Sequence, residues 1–501
     1  MSGADLLALL PLILISISPV AVMLAIAFFR GRGLAAALAL LGLFISFVSL
    51  PFAASYAPRS VTPLLVIDNY ALFYMGLVFA ATFAVALLSD GYLRMLRVRS
   101  EEFYVLLLLA AAGSAVLVAS AHFASFFLGL ETLSVSLYAL LSYPVTREKA
   151  IEAGVKYLVL AAISSAFLLF GMALVYALSG TMEFSGIAAW AAAGIKYSNP
   201  VFLGALALIA VGFGFKLAVA PFHMWTPDVY EGAPAPVSAF VATVSKGAVF
   251  ALFLRYFARV DIHTMGSLAL ALTVISIASM FAGNLLALLQ NNVKRILAYS
   301  SIAHLGYLIV AFLASGALRV TAVSFYLVAY FITMLGAFGV VTVLSGPDGD
   351  AEDIEGYRGL AARRPVIAGV FSLMLFSLAG IPLTAGFVGK FYIIAAGAGS
   401  ALWLLISILV INSAIGIYYY VRVIITMYSP APVEAEEAAL PPKSTEPAGP
   451  AAPEQAASAA GAIIPIGGGL VLAVLAIGLI WLGVYPSPLL SLIRKTIQSL
   501  M

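Results

Sequence analysis

Lys216 lies inside a long apolar stretch, Phe202 to Ala220, and the same run then breaks into Pro221-Phe222-His223-Met224-Trp225-Thr226-Pro227-Asp228. A lysine at bilayer depth is costly unless a partner or water solvates it, so it is a functional signal by default. A buried cation beside a proline-broken helix points to an ion path; a purely structural charge is the competing reading. Glu131 sits mid-stretch in Phe127-Leu128-Gly129-Leu130-Glu131-Thr132-Leu133-Ser134, with no charged neighbour in its own helix. A carboxylate alone in hydrocarbon takes up a proton, whereas a nearby lysine keeps it ionised. Lys216 is its natural partner across helices, and the two would titrate as a unit. A static buried ion pair that only fixes packing is the alternative.

Lys246, in Ala242-Thr243-Val244-Ser245-Lys246-Gly247, also falls mid-stretch, and Lys390 ends the run Leu378-Ala379-Gly380-Ile381-Pro382-Leu383-Thr384-Ala385-Gly386-Phe387-Val388-Gly389-Lys390. Three lysines could therefore line one central chain along which protons hop through water. Lysine suits this work because burial moves its proton affinity readily, which arginine lacks. Lys156 lies nearer a helix end and could equally snorkel to the surface. His304 is a candidate relay or a packed hydrogen-bonding residue. His223, Asp228 and Glu231 fall in the proline-rich segment after Lys216, which is either a proton entrance or a turn. The turn is the better reading for Glu231, and His223 stays open.

These residues need a membrane scaffold to position them. The 501-residue chain is 63% hydrophobic and 9% charged, far from the roughly half-apolar make-up of a soluble domain. About fourteen apolar stretches of membrane-spanning length follow one another from Leu6 almost to the C-terminus, so the fold class is an all-α polytopic membrane protein. The first stretch lacks a basic leader and a small-residue cleavage site, and reads as a retained helix. The odd-numbered connections carry Arg30, Arg32, Arg94, Arg97, Arg99, Arg147, Lys149, Lys294, Arg295, Arg358, Arg363, Arg364 and Lys443, more cations than the even ones. That bias places the odd connections in the cytoplasm and both termini outside. The chain has no cysteine, which excludes disulfides and thiolate-held iron–sulfur clusters. His122, His223, His263 and His304 lack metal-ligand spacing. No phosphate loop, nucleophile elbow or hydrolase carboxylate pair occurs either. No cofactor or metal is expected in this chain, and any redox chemistry belongs to a partner.

The span holding Lys216 and the one holding Lys390 each combine a helix breaker with a lysine, and they lie five spans apart. An odd offset gives them opposite directions, the pattern of inverted repeats with ion sites near the midplane. The expected organisation is three N-terminal spans (1–100), a first repeat of spans four to eight (101–260) and a second of spans nine to thirteen (261–429). A disordered Pro/Ala/Glu-rich linker (430–460) and a final span with an interfacial tail (461–501) follow, with spans seven and twelve discontinuous. Glycine and proline are also simply common in membrane helices.

The stretch Gly214-Phe215-Lys216-Leu217-Ala218-Val219-Ala220-Pro221-Phe222-His223-Met224-Trp225-Thr226-Pro227-Asp228-Val229-Tyr230-Glu231-Gly232-Ala233-Pro234, with Thr243-Val244-Ser245-Lys246, closely resembles the subunit N family of bacterial complex I, the proton-pumping NADH:quinone oxidoreductase. The resemblance extends through Phe127 to Glu131, Glu152 to Tyr157, Asn291 to Tyr307 and Gly386 to Phe391. It implies an antiporter-like membrane-arm subunit of fourteen helices in two inverted five-helix repeats. Glu131 on the fifth helix would pair with Lys216 on the seventh, Lys246 on the eighth would continue the path, and Lys390 on the twelfth would sit toward the exit. It also implies quinone, FMN and iron–sulfur clusters in partner subunits, neighbouring membrane-arm subunits and lipid as partners, no nucleic acid, and a bacterial inner-membrane location. The tail is too short for the lateral helix of subunit L, and subunit M commonly has glutamate where Lys390 stands. The acidic linker departs from the family's usual short loop. Two rival readings remain: a subunit of a multisubunit cation/proton antiporter, and a scaffold that moves no ions.

Overall fold

The computed structural model describes residues 2–96, 98–143, 145–193, 199–259, 266–347, 349–430 and 465–500. Thirteen of the described helices are long and apolar enough to cross a membrane. In chain order the first eleven are α1 (Leu10–Phe28), α2 (Arg32–Ala54), α3 (Asn69–Met95), α4 (Glu101–Ala119), α5 (Phe123–Leu141), α6 (Glu148–Ser179), α7 (Pro200–Leu217), α8 (Ala235–Phe257), α9 (Gly266–Leu288), α10 (Val293–Leu313) and α11 (Ala317–Leu344). Two shorter apolar helices follow, α12 (Pro365–Ala379) and α13 (Ala385–Gly399). The last two long ones are α14 (Trp403–Tyr428) and α15 (Ile466–Val484). At 15 residues each, α12 and α13 are about 22 Å long, too short to cross a ~30 Å hydrocarbon core singly. The expected linker lies outside the described residues except for Pro430, as do Arg97, Lys196, His263 and Lys443. The tail forms α16 (Ser487–Leu500), packed on α3 and α11.

Side chains that accept backbone N–H bonds start several of these helices: Asp68 for α3, His122 for α5, Asn199 for α7, Asn292 for α10 and Thr384 for α13. Each satisfies donors that a helix start leaves unpaired. Between α2 and α3 the chain forms a small antiparallel hairpin, β1 (Arg59–Val61) with β2 (Leu65–Ile67), in register Arg59 to Ile67. Its strands are three residues long, too brief for a periodicity to announce them.

Packing partners recur five spans apart. Helix α4 packs on α5 and α9 on α10; α5 packs on α6 and α10 on α11; α6 packs on α7 and α11 on both α12 and α13. The first of these pairings is backbone-close in both places. A Cβ on Gly113 of α4 would stand 2.6 Å from the Leu133 nitrogen, and one on Gly283 of α9 would stand 2.6 Å from the Ala303 nitrogen. Without a hydrophobic force between helices in lipid, such close approach is what holds spans together.

The odd connections meet at one end of the bundle around a buried carboxylate. Asp350 accepts bonds from Lys294 Nζ at 2.6 Å, Arg147 at 3.1 Å, the Tyr92 hydroxyl at 2.6 Å and the Ala235 N–H at 3.1 Å. It thereby joins the end of α3 to the starts of α6, α8 and α10. Burial works to raise the Asp350 carboxyl, but Lys294, with Tyr92 and Arg147, outweighs it and holds the group below its ordinary 3.8. A depressed folded value stabilises fully at neutral pH and is lost only as pH falls through that range. The opposite end carries the hairpin and a second buried pair, Arg255 on Asp68 at 2.7 Å.

Gly283→Val should lower the stability of the detergent-solubilised protein by about 1–3 kcal/mol through forced separation of α9 and α10, read as a fall in thermal midpoint. Asp350→Asn should cost about 3–5 kcal/mol because it leaves Lys294 buried beside a neutral group. That penalty should be constant from pH 8 to pH 5 and shrink only below about 3.8; a penalty that fades near neutrality would exclude the carboxylate as its source.

Candidate functional site

Helix α7 stops one residue after Lys216, at Leu217, and the next residue, Ala218, takes a left-handed conformation, φ 58°. A non-glycine residue pays roughly 1–2 kcal/mol for that geometry. The following break, 218–224, is held by specific groups: Ser279 Oγ of α9 accepts the Ala220 N–H at 2.9 Å, and the Trp225 indole donates to the Phe215 carbonyl at 3.1 Å. The short helix Trp225–Gly232 then leads into α8. Within α8, residues Val241–Ser245 form a π-helical turn that ends at Lys246. Such bulges re-aim the side chains around them and recur at functional sites.

Lys216 is 4% exposed. Its ammonium donates to Ser134 Oγ at 2.7 Å and to the Tyr157 hydroxyl at 3.4 Å, and stands 5.2 Å from the Tyr157 ring centre and 5.6 Å from that of Phe215. Aromatic faces attract a desolvated cation. The expected direct pair with Glu131 is not formed. Half-buried Glu131 instead accepts a 2.6 Å bond from Ser165 of α6, and Ser134, three residues on, takes the lysine.

Lys246, 1% exposed, donates to Ser301 Oγ at 2.7 Å, which also receives the Tyr330 hydroxyl at 2.7 Å. Its ammonium is 5.3 Å from the Tyr230 ring centre. Tyr230 meets Trp225, whose ring meets Tyr157, so an aromatic row joins the two lysines. His304 continues the row: its ring lies 5.7 Å from that of Tyr330, Nδ1 is 2.8 Å from the Tyr326 hydroxyl, and Nε2 is 3.3 Å from that of Tyr420. Tyr420 abuts Tyr419, which donates to Asn284 Oδ1 at 3.0 Å, and Asn284 donates to the Tyr307 hydroxyl at 3.1 Å. The ammonium of Lys390 stands 5.3 Å from the Tyr307 ring. It donates to the Leu378 and Ala379 carbonyls at 2.9 Å each and to Ser413 Oγ at 2.7 Å. Those carbonyls end α12, where a cation is favoured by the helix dipole.

The two broken spans thus place their lysines differently, Lys216 before its break and Lys390 after it, on α13. Lys156 stays at the periphery: it is 41% exposed and pairs with Glu152 at 2.6 Å and Asp228 at 2.8 Å. Asp228 and Glu231 also share Arg295. Burial acts to raise both carboxyls, but Lys156 with Arg295, and Arg295 with Lys149, hold them below the ordinary values. His223 is buried in the break, and its Nδ1 has no hydrogen-bond partner among the described residues. Ser134, Ser301, Tyr157, Tyr330, Tyr326, Tyr420, Asn284 and Ser413 were not expected from the sequence. Spacing gave a usable signal for two, since Ser134 is three residues from Glu131 and Ser301 three from His304, which puts each pair on one helix face.

Residues 120–416 match the family described as NADH:quinone oxidoreductase/Mrp antiporter, TM. The NADH-quinone oxidoreductase subunit N of Ectopseudomonas mendocina is 48% identical over 501 residues, covering 99% of this chain and 97% of that protein. The chain belongs to the NADH-quinone oxidoreductase subunit N family. The family member from Nitrosospira multiformis is 51% identical over 503 residues, covering 98% of this chain and 96% of its own. Among solved structures, a chain of respiratory complex I from Thermus thermophilus superposes with a TM-score of 0.77 at 31% identity, over 96% of this chain and 98% of that one. A chain of the Mrp complex from Dietzia sp. superposes with a TM-score of 0.83 at 19% identity, over 100% and 98%; that likeness is one of fold. Among the described residues of this subunit N family member, no cluster of three or more His, Asp or Glu could hold a metal ion.

Because Ser134 and not Glu131 holds Lys216, Glu131→Gln should lower thermal stability by less than about 1 kcal/mol, whereas breaking a direct buried pair would cost about 3–5 kcal/mol. Thermal unfolding of the purified variant decides between them.

Proposed function

We propose that this chain carries protons across the membrane as the subunit N of an NADH:quinone oxidoreductase, driven by quinone reduction elsewhere in the assembly. The observation that carries the proposal is the row of buried side chains in contact from Lys216 through Lys246 and His304 to Lys390, which passes both helix breaks. Glu131, Lys216, Lys246 and Lys390 are the relay groups, His304 is the link between the last two lysines, and Ser134 and Ser301 hand protons on at hydrogen-bond distance. A desolvated lysine next to a hydroxyl can hold or release a proton according to the charge of its neighbours. Glu131, parked on Ser165, is the group whose swing toward Lys216 would set that charge. His223 is kept as an entrance candidate beside the first break, while Lys156 belongs with the surface ion pairs.

Quinone, FMN and iron–sulfur clusters are assigned to partner subunits, and the immediate partners to neighbouring antiporter-like and small membrane-arm subunits. The assigned location is the bacterial inner membrane, with the odd connections cytoplasmic. Fourteen crossings result when α12 and α13 are counted as one discontinuous span, and the recurring pairings five spans apart favour the two-repeat plan. The antiporter reading has the shared fold behind it and nothing more specific, since the relatives near half identity are subunit N proteins.

Lys216→Ala, introduced into the native assembly, should leave the complex intact and abolish NADH-driven acidification of inverted membrane vesicles, while Lys156→Ala retains most of it. Full pumping by an assembled Lys216→Ala complex overturns the relay. An assembly that copurifies with this chain but oxidises no NADH overturns the assignment of the partner enzyme.

A further inference from the structure

Away from the relay, α2, α3, the end of α11 and the start of α15 enclose a groove of about 840 Å³ with walls that include Ala36, Leu40, Leu87, Val343 and Ile466. Specific small-ligand sites span about 300–1,000 Å³. At its mouth Gly33 and Arg94 also line a second hollow of about 670 Å³, rimmed by Arg30, Arg32, Arg99 and Glu101. The rim joins two odd connections, so it lies where the spans leave the apolar layer.

Among the described residues the charges at the rim are not internally balanced. Asp90 is held by Arg94 at 2.7 Å, and Glu101 accepts the Ser100 N–H at 3.0 Å. Arg32 makes one long bond, 3.4 Å, to the Val98 carbonyl. The guanidinium groups of Arg30 and Arg99 are exposed and form no hydrogen bond or ion pair among the described residues. Beside them Phe28 and Phe29, at the end of α1, are 79% and 72% exposed, as befits a wall that meets acyl chains.

We propose that this groove and its arginine rim form a binding site for one anionic phospholipid, the headgroup phosphate held by Arg30, Arg32 and Arg99 and the acyl chains laid between α2, α3, α11 and α15. Guanidinium pairs a phosphate through two parallel N–H bonds. The spare positive charge selects a net-anionic headgroup over a zwitterionic one, whose own cation would meet the same arginines. Basic pockets beside membrane helices recognise anionic lipid by these forces, each nearby cation adding to the attraction.

The test is native mass spectrometry of the assembly extracted in mild detergent, followed by add-back of phosphatidylglycerol or phosphatidylcholine to delipidated protein. The wild type should retain one anionic phospholipid on this chain and rebind phosphatidylglycerol in preference to phosphatidylcholine. The triple variant Arg30→Gln, Arg32→Gln, Arg99→Gln changes only rim residues and should bind it on the order of 100-fold more weakly. Ala37→Trp, which fills the groove and leaves every rim charge in place, should lose it as well. Equal retention by both variants, or equal binding of the two lipids, overturns the site. So does loss in the arginine variant alone, which would mean that the rim captures phosphate without acyl chains.

Discussion

Within hydrocarbon a chain must satisfy its own backbone polar groups, because no water is there to do so. The molecule meets that requirement with helices, and then violates it at two places, 218–224 and 380–384. Both violations are repaired by named side chains. Ser279 takes the Ala220 N–H and Trp225 caps the Phe215 carbonyl at the first break. At the second, Lys390 takes the Leu378 and Ala379 carbonyls, and Ser377 accepts the Gly386 N–H at 3.1 Å. Everything proposed about ion movement depends on these repairs, since they supply partners to backbone groups that the breaks set free at membrane depth.

The buried cations follow the same logic. Not one of Lys216, Lys246 and Lys390 forms an ion pair with a carboxylate among the described residues; each rests on a serine hydroxyl and an aromatic face. A neutral hydroxyl solvates an ammonium but does not pin its charge, whereas a salt bridge would make proton release expensive. The carboxylates are kept elsewhere. Asp350 locks the starts of three spans at one end, and Asp68 binds Arg255 at the other. Ion pairs hold the frame at both ends, and hydroxyl-solvated lysines occupy the middle.

The long apolar stretches, the lysines that interrupt them, the two breaks and the cation bias of the odd connections were legible in the sequence, because hydrocarbon tolerates so few polar residues that each one stands out. The break at 380–384 falls at the Gly-Ile-Pro run. What the sequence could not carry was pairing. Glu131 and Lys216 looked like partners since each is a lone charge in the middle of its apolar stretch, but rotation of α5 turns Ser134 toward the lysine and Glu131 toward α6 and Ser165. The aromatic row from Tyr157 to Tyr307 is built from residues on α6, α10, α11 and α14 and the segment before α8, and its tyrosines are not distinguishable in one dimension from ordinary packing ones. The π turn before Lys246 and the left-handed Ala218 after Lys216 have no marker in residue type either. Composition decides that a chain lives in the membrane and where it must break; side-chain direction, which a helix fixes only once its neighbours fix its rotation, decides which groups touch.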